Sequence, residues 1–157
     1  MSAPTDSANQ LRDAVLGFIA CIEAEALTPE ARLNRLAPAL DRLSLAYHES
    51  CATEAALGDN EPPSRDYQET RGRMAQLFPT LGYYPLAKGD GDDADLVMGD
   101  AIDDLADIFS EVLDVAWMLE NSGMNEATSL FRFGFTHHWG RHLCDLRGAV
   151  HYELFGM

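Results

Sequence analysis

The sequence predicts an all-α fold, a single-domain bundle of about five helices. Three observations predict it: apolar residues recur at spacings of three and four along most of the chain, capping residues and prolines punctuate those stripes, and neither a strand pattern nor an internal repeat is evident. With 157 residues, 46% of them hydrophobic and 9% aromatic, the chain is long enough to bury one core without a structural metal or disulfide. The predicted domain covers residues 1–157, with residues 1–5 as a flexible N-terminus and residues 51–63 and 79–95 as connecting loops.

Asp6 or Ser7 is expected to cap a first helix whose buried stripe is Leu11, Val15, Phe18, Ile22 and Ala26. Thr28 followed by Pro29 reads as the N-cap and first position of a second helix, carrying Leu33, Leu36, Leu40, Leu43 and Tyr47. Pro38 interrupts that stripe. It removes an amide donor and presses its ring on the carbonyl of Asn34, so the second helix is expected to kink or break near residues 34–37.

Periodicity then lapses and ends in Gly58-Asp-Asn-Glu-Pro-Pro63, after which Ser64 is expected to cap a third helix with Tyr67, Met74, Leu77 and Phe78, stopping at Pro79. Leu81-Gly-Tyr-Tyr-Pro-Leu86 reads as an aromatic loop. Gly89-Asp-Gly-Asp-Asp-Ala-Asp95 reads as an acidic hinge whose last carboxylates suit the positive end of a fourth helix over about residues 95–120. A turn at Asn121-Ser-Gly-Met-Asn125 leads into a last helix over roughly residues 125–154.

Charge is the unusual bulk property. Twenty-six acidic against 11 basic residues give a formal net charge of -15, which repels phosphate backbones and anionic lipid, so neither nucleic acid nor a membrane is expected as partner. A protein partner with a basic surface is implied instead, and a homodimer through another face is compatible with the charge. Cys21, Cys51 and Cys144 are odd in number and lack CxxC spacing, which fits a reducing cytoplasm rather than a disulfide framework or a cysteine zinc site. The N-terminus has neither the basic start nor the apolar stretch of a signal peptide, and no apolar run approaches the ~18 residues of a membrane span.

The residues that could carry chemistry concentrate on the last two predicted helices. Residues 89–122 hold eleven acids and no Lys or Arg, whereas residues 123–157 hold three Arg, three acids and four of the five histidines. On the fourth helix Ile102, Leu105, Ile108, Phe109, Val112, Leu113 and Ala116 form one arc, with the acids opposite. Like charges at such spacings cost a few tenths of a kcal/mol per pair. A solvated face accounts for Asp100, Glu111 and Asp114, the acids furthest from that arc. Asp103, Asp104 and Asp107 lie nearer its flanks and are placed to face a basic or metal partner across a helix interface.

On the last helix Phe131, Phe135, His138, His142, Leu146 and Ala149 share one arc, so two imidazoles are expected to turn inward. The favoured reading is that His138 and His142 hydrogen-bond to carboxylates such as Asp104 or Asp107 and specify helix pairing. The sharper alternative is a divalent transition metal held by His138, His142, Asp104 and Asp107, because histidines four apart present both rings on one helix face. Neither H-E-x-x-H nor Glu-x-x-His occurs, so a zincin and a regular carboxylate-bridged dinuclear site are rejected. Arg132 and Arg141 are expected to pair with the acidic helix. Asp90-Gly-Asp-Asp-Ala-Asp95 lacks the ligand positions of a calcium loop. P-loop, G-x-G-x-x-G and G-x-S-x-G motifs are all missing, so no catalytic residue is assigned and an enzyme is disfavoured.

Leu81-Gly-Tyr-Tyr, Asp103-Asp-Leu-Ala-Asp-Ile-Phe109 and Phe131-Arg-Phe-Gly-Phe-Thr-His-His-Trp-Gly-Arg-His142 together resemble an uncharacterised bacterial family, the domain of unknown function 5063. The resemblance is most specific in His138-Trp-Gly-Arg-His-Leu and the downstream Leu146-Arg-Gly-Ala-Val-His151. It implies a bacterial, helical protein and carries no activity, ligand or catalytic residue.

Three functions therefore compete. The first is a small cytoplasmic protein-interaction or binding module with no cofactor, its polar centre built from His138, His142, Asp103, Asp104, Asp107 and Arg141. The second is a metal-binding bundle with hydrolytic chemistry, a metal-bound water serving as nucleophile. The third is a small-molecule sensor with an apolar pocket lined by Tyr83, Tyr84, Trp117, Phe135 or Trp139.

Overall fold

The computed structural model describes residues 4–53, 58–88 and 95–156. In chain order the elements are α1 (Pro4–Glu23), α2 (Pro29–Glu49), α3 (Tyr67–Leu77), strands β1 (Tyr83–Lys88) and β2 (Asp95–Asp100), α4 (Ala101–Asn121), α5 (Met124–Gly134), a π-helical turn (Phe135–Trp139) and α6 (Gly140–Phe155). The last three follow one another without a break, so the bundle has five rods, as the periodicity predicts.

The expected stripes form the core. Leu11, Val15, Phe18 and Ile22 of α1 and Leu33, Leu36, Leu40 and Leu43 of α2 are buried, whereas Ala26 lies beyond the end of α1 and is exposed. α4 occupies the centre, packing against α1, α3, α5 and α6, while α2 packs on α1 and α6. Phe18 and Phe109 meet across the α1/α4 contact with ring centroids 6.4 Å apart. Among the described residues no helix is long and apolar enough to cross a membrane.

Helix ends explain several boundaries. Thr28 caps α2 as expected, its hydroxyl accepting from the Ala31 amide, with Pro29 in the first turn. α2 is continuous through Pro38, so of the kink or break expected there the break does not occur. α1 lacks a glycine stop and ends instead on a buried guanidinium: Arg32 donates to the carbonyls of Cys21 at 3.0 Å, Ile22 at 2.6 Å and Ala24 at 2.6 Å. Arg132 treats the end of α2 in the same way, donating to the carbonyls of Tyr47 at 2.9 Å and Ser50 at 2.7 Å while lying over the Tyr47 ring.

Other boundaries differ from expectation. α1 begins at Pro4, ahead of Asp6 and Ser7 and inside the stretch expected to be flexible; residues 1–3 of that stretch lie outside the described residues. α3 starts at Tyr67, because Asp66 rather than Ser64 accepts from the Glu69 amide. The largest correction concerns residues 79–95, expected as a loop, and the fourth helix, expected from Asp95. β1 and β2 instead form an antiparallel pair in the register Tyr84 opposite Gly99 and Leu86 opposite Val97. α4 begins only at Ala101, capped by Asp100, whose carboxylate accepts from the amides of Ile102 at 3.0 Å and Asp103 at 3.3 Å. Residues 89–94, and with them most of the acidic hinge and the calcium-like stretch, lie outside the described residues.

The hairpin escaped the sequence pattern because both of its faces carry apolar residues, so no alternation shows. Tyr84, Leu86, Val97 and Gly99 occupy the half-buried face, while Tyr83, Pro85, Leu96 and Met98 are exposed on the other. At Gly99 an added Cβ would meet the Tyr84 ring at 2.5 Å, so the glycine lets that ring lie flat across its partner strand.

Candidate functional site

The histidines reach the seam between α4 and α6 through the π turn. Five residues, Phe-Thr-His-His-Trp, take the wider π geometry, which in helices often marks a functional position. Gly140 permits it: an added Cβ would lie 2.2 Å from the carbonyl oxygen of Phe135, a backbone atom that cannot step aside. Around the turn Trp139 is fully buried against Phe131 and Phe135, which fixes the rotation of the helix and sends His138 and His142 to one side.

Those two rings stand 5.0 Å apart, edge to face, and meet a row of carboxylates on α4. His142 Nδ1 is 2.6 Å from Asp104 Oδ1, and the Tyr84 hydroxyl donates to the other oxygen of Asp104. His138 Nδ1 is hydrogen-bonded to Glu111 Oε1. Between these pairs lies Asp107, whose Oδ2 is 3.6 Å from His142 Nε2 and 3.9 Å from His138 Nε2. One oxygen or nitrogen from each of Asp107, His138 and His142 can be chosen so that all lie within 4.8 Å of one another. Each ring is thus held from behind through Nδ1 and turns Nε2 toward a shared point.

The electrostatics follow from partial burial. Asp104 is buried, and its hydrogen bond is the main cause that raises the His142 pKa above the ordinary histidine value; burial opposes it, while Asp104, Asp107 and Asp103 reinforce it by their charges. Asp107 is pushed above the usual carboxylate range, chiefly by desolvation, with the two histidines pulling it back. Tyr84 is raised by burial and then by its bond to Asp104, so its hydroxyl keeps the proton it donates.

Of the candidate residues, the structure brings together His138, His142, Asp104 and Asp107 and separates the other two. Asp103 turns the opposite way, accepting from the Tyr67 hydroxyl with Arg71 Nε 3.6 Å away. Arg141 pairs with Asp145 of its own helix at 2.9 Å and not with α4, while Arg132 caps α2. The histidines are less buried than an inward stripe implies, His138 being 49% and His142 29% exposed at the side chain, because the seam opens to solvent at that point. The acids assigned to a solvated face are paired: Asp100 with Arg71 at 2.5 Å, Asp114 with Arg65, and Glu111 with His138. Glu111, expected on a solvated face, and Tyr84, expected only in a pocket wall, both join this site. Glu111 lies four residues beyond Asp107, one turn along α4, as His138 lies one turn from His142, and an antiparallel pairing of the two helices would have matched them.

Residues 2–155 match the family model DUF5063, a domain of unknown function. The chain belongs to the DUF5063 family. Both helices that carry the histidine seam fall inside the DUF5063 match, as does the hairpin that supplies Tyr84. The crystal structure of protein BF1032 from Bacteroides fragilis is similar in fold, with a TM-score of 0.76 at 19% identity over 96% of this chain and 94% of that chain. No curated protein matches the sequence. Of the aromatics named for a sensor pocket, Tyr83 and Tyr84 line a surface cleft, whereas Trp139 is core, Phe135 stacks on Tyr47, and Trp117 packs against the core.

Proposed function

We propose that this protein binds a divalent transition-metal ion through Nε2 of His138, Nε2 of His142 and a carboxylate oxygen of Asp107. One observation carries the reading: both Nε2 atoms face the same Asp107 oxygen, at 3.6 and 3.9 Å, while both Nδ1 atoms are bonded to carboxylates. Those separations are too long for hydrogen bonds. They are close to the spacing of neighbouring donors around a metal, roughly 3 to 3.5 Å for bonds of about 2.1 Å. Asp104 and Glu111 then act from behind, orienting the rings as outer carboxylates do for metal-bound histidine. Asp104 leaves the donor set in this reading, because its oxygens are taken by Tyr84 and His142. Imidazole with carboxylate suits zinc, manganese or ferrous iron better than calcium or magnesium. Three protein donors leave positions for water, which is the basis for hydrolytic chemistry.

The test uses protein purified without a polyhistidine tag, stripped with chelator, then titrated with zinc, manganese and ferrous ions under calorimetry, with elemental analysis of the preparation before stripping. One ion per chain is expected, lost in His138→Ala, His142→Ala and Asp107→Asn variants that keep their helical circular dichroism. A metal-free preparation that takes up none of the three ions overturns the proposal.

A second reading, a protein-interaction module for a basic partner, is favoured by a different observation. Tyr83, Leu96 and Met98 stand 73%, 74% and 60% exposed on the outer hairpin face of a chain whose net charge is -15. Salt-sensitive association lost on Met98→Asp supports it, and association indifferent to both salt and that substitution counts against it. The free thiols of Cys21, Cys51 and Cys144 fit a reducing cytoplasm for either reading.

A further inference from the structure

A cleft of about 660 Å³ opens between β1 and the outer face of α6, apart from the histidine seam. Its size is that of a small-molecule site. Tyr83, Tyr84 and Leu86 form the hairpin wall, and Ala149 and Tyr152 the helix wall. Among the described residues the only ionic groups in the lining are the carboxylates of Asp145 and Glu153, and no Lys, Arg or His lines it. Arg141 stands outside and holds Asp145 through Oδ2, and among the described residues no bond is made to Oδ1. The Tyr84 hydroxyl is committed to Asp104, so what Tyr84 offers the cleft is its ring.

We infer that this cleft binds organic ammonium ions that carry an apolar or aromatic tail. The rings of Tyr84 and Tyr152 beside two carboxylates make a setting in which a cation gains from the ring faces and from the acids together. The apolar tail is drawn in by burial against Leu86, Ala149 and the rings. A net charge of -15 raises the local concentration of cations and repels anions of the same shape. None of His138, His142 and Asp107 lines the cleft, so this inference stands whether or not the seam holds a metal.

Cys144 supplies the readout. It lines the cleft and is exposed, whereas Cys51 is exposed just beyond the end of α2 and lines no part of it. Alkylation of both thiols by iodoacetamide is followed by mass spectrometry with millimolar phenethylammonium, the neutral 2-phenylethanol or the anionic 3-phenylpropionate. Phenethylammonium is expected to slow Cys144 several-fold and leave Cys51 unchanged, with the alcohol weaker and the carboxylate without effect. The double variant Asp145→Asn, Glu153→Gln is expected to lose the protection while keeping its circular dichroism. An unchanged Cys144 rate at saturating amine, or equal protection by the alcohol or the carboxylate, overturns the inference, and the three-ligand series on the unaltered protein decides it even if the variant fails to fold.

Discussion

His142 presents its Nδ1 to Asp104 Oδ1 at 2.6 Å, which orients its ring from behind and leaves Nε2 facing Asp107. Because a carboxylate only accepts, the proton of the neutral ring belongs on Nδ1 and the lone pair on Nε2. Tyr84, reaching in from the hairpin, holds the other oxygen of Asp104. The hairpin, α4 and α6 therefore meet at one carboxylate.

Replacing that carboxylate should loosen the proposed metal without removing a donor. Asp104→Asn is expected to weaken metal affinity by about 10- to 100-fold, the usual scale for an outer partner of a ligating histidine. Tyr84→Phe should weaken it less, since Asp104 keeps His142. Competition with a chromophoric chelator measures both, and wild-type affinity in Asp104→Asn would show that the pair has no hold on the ion.

Gly140→Ala should remove the π turn. The new methyl would stand 2.2 Å from the Phe135 carbonyl oxygen, so the helix must rewind and rotate His138 away from His142. Overpacking of this kind costs about 1–3 kcal/mol. Thermal melts should show that loss, and calorimetry should show metal uptake reduced by more than the change in stability explains.

Arg32→Met should be the most damaging substitution of a charged residue outside the seam. It strips the carbonyls of Cys21, Ile22 and Ala24 of their donor in a buried site, at a cost of about 3 kcal/mol or more. Urea unfolding checks this, and Arg32→Lys should recover only part of the loss, because one ammonium cannot span three carbonyls in the way a guanidinium fork does.

Tyr84 makes stability fall at alkaline pH. Burial first and the Asp104 bond second raise its folded pKa above the ordinary value of 10.0, so the folded state holds the phenolic proton more tightly than the unfolded chain. The stabilisation is therefore complete below pH 10 and drains away as the pH climbs toward the folded value. Tyr67, raised by burial and by Asp103, behaves alike. Absorbance titration near 295 nm should show two late tyrosines, and Tyr84→Phe should remove one of them and flatten the alkaline decline.

The rods were legible because their information is local. Thr28-Pro29, the stripe from Leu11 to Ile22 and the one-turn spacing of His138 and His142 each report on a few neighbouring residues, and each appears in the structure as periodicity predicts. The candidate site was half legible: Asp104 and Asp107 were found as flank residues of α4, whereas Glu111, read as solvated, turned out to reach His138 with its longer side chain. Asp103 was misplaced because its neighbours Tyr67 and Arg71 come from α3, more than thirty residues away in sequence.

From the chain alone follow a mostly helical bundle, its strong excess of acidic residues and a pair of imidazoles one turn apart, since composition and short-range spacing are properties of adjacent residues. Only the tertiary structure decided that a hairpin replaces the acidic approach to α4, that the helix carrying the histidines widens at Gly140, and that Asp104, Asp107 and Glu111 face those histidines in register. These depend on which surfaces pack together, and packing is settled by the burial of Trp139, Phe131 and Leu105 across elements distant in sequence.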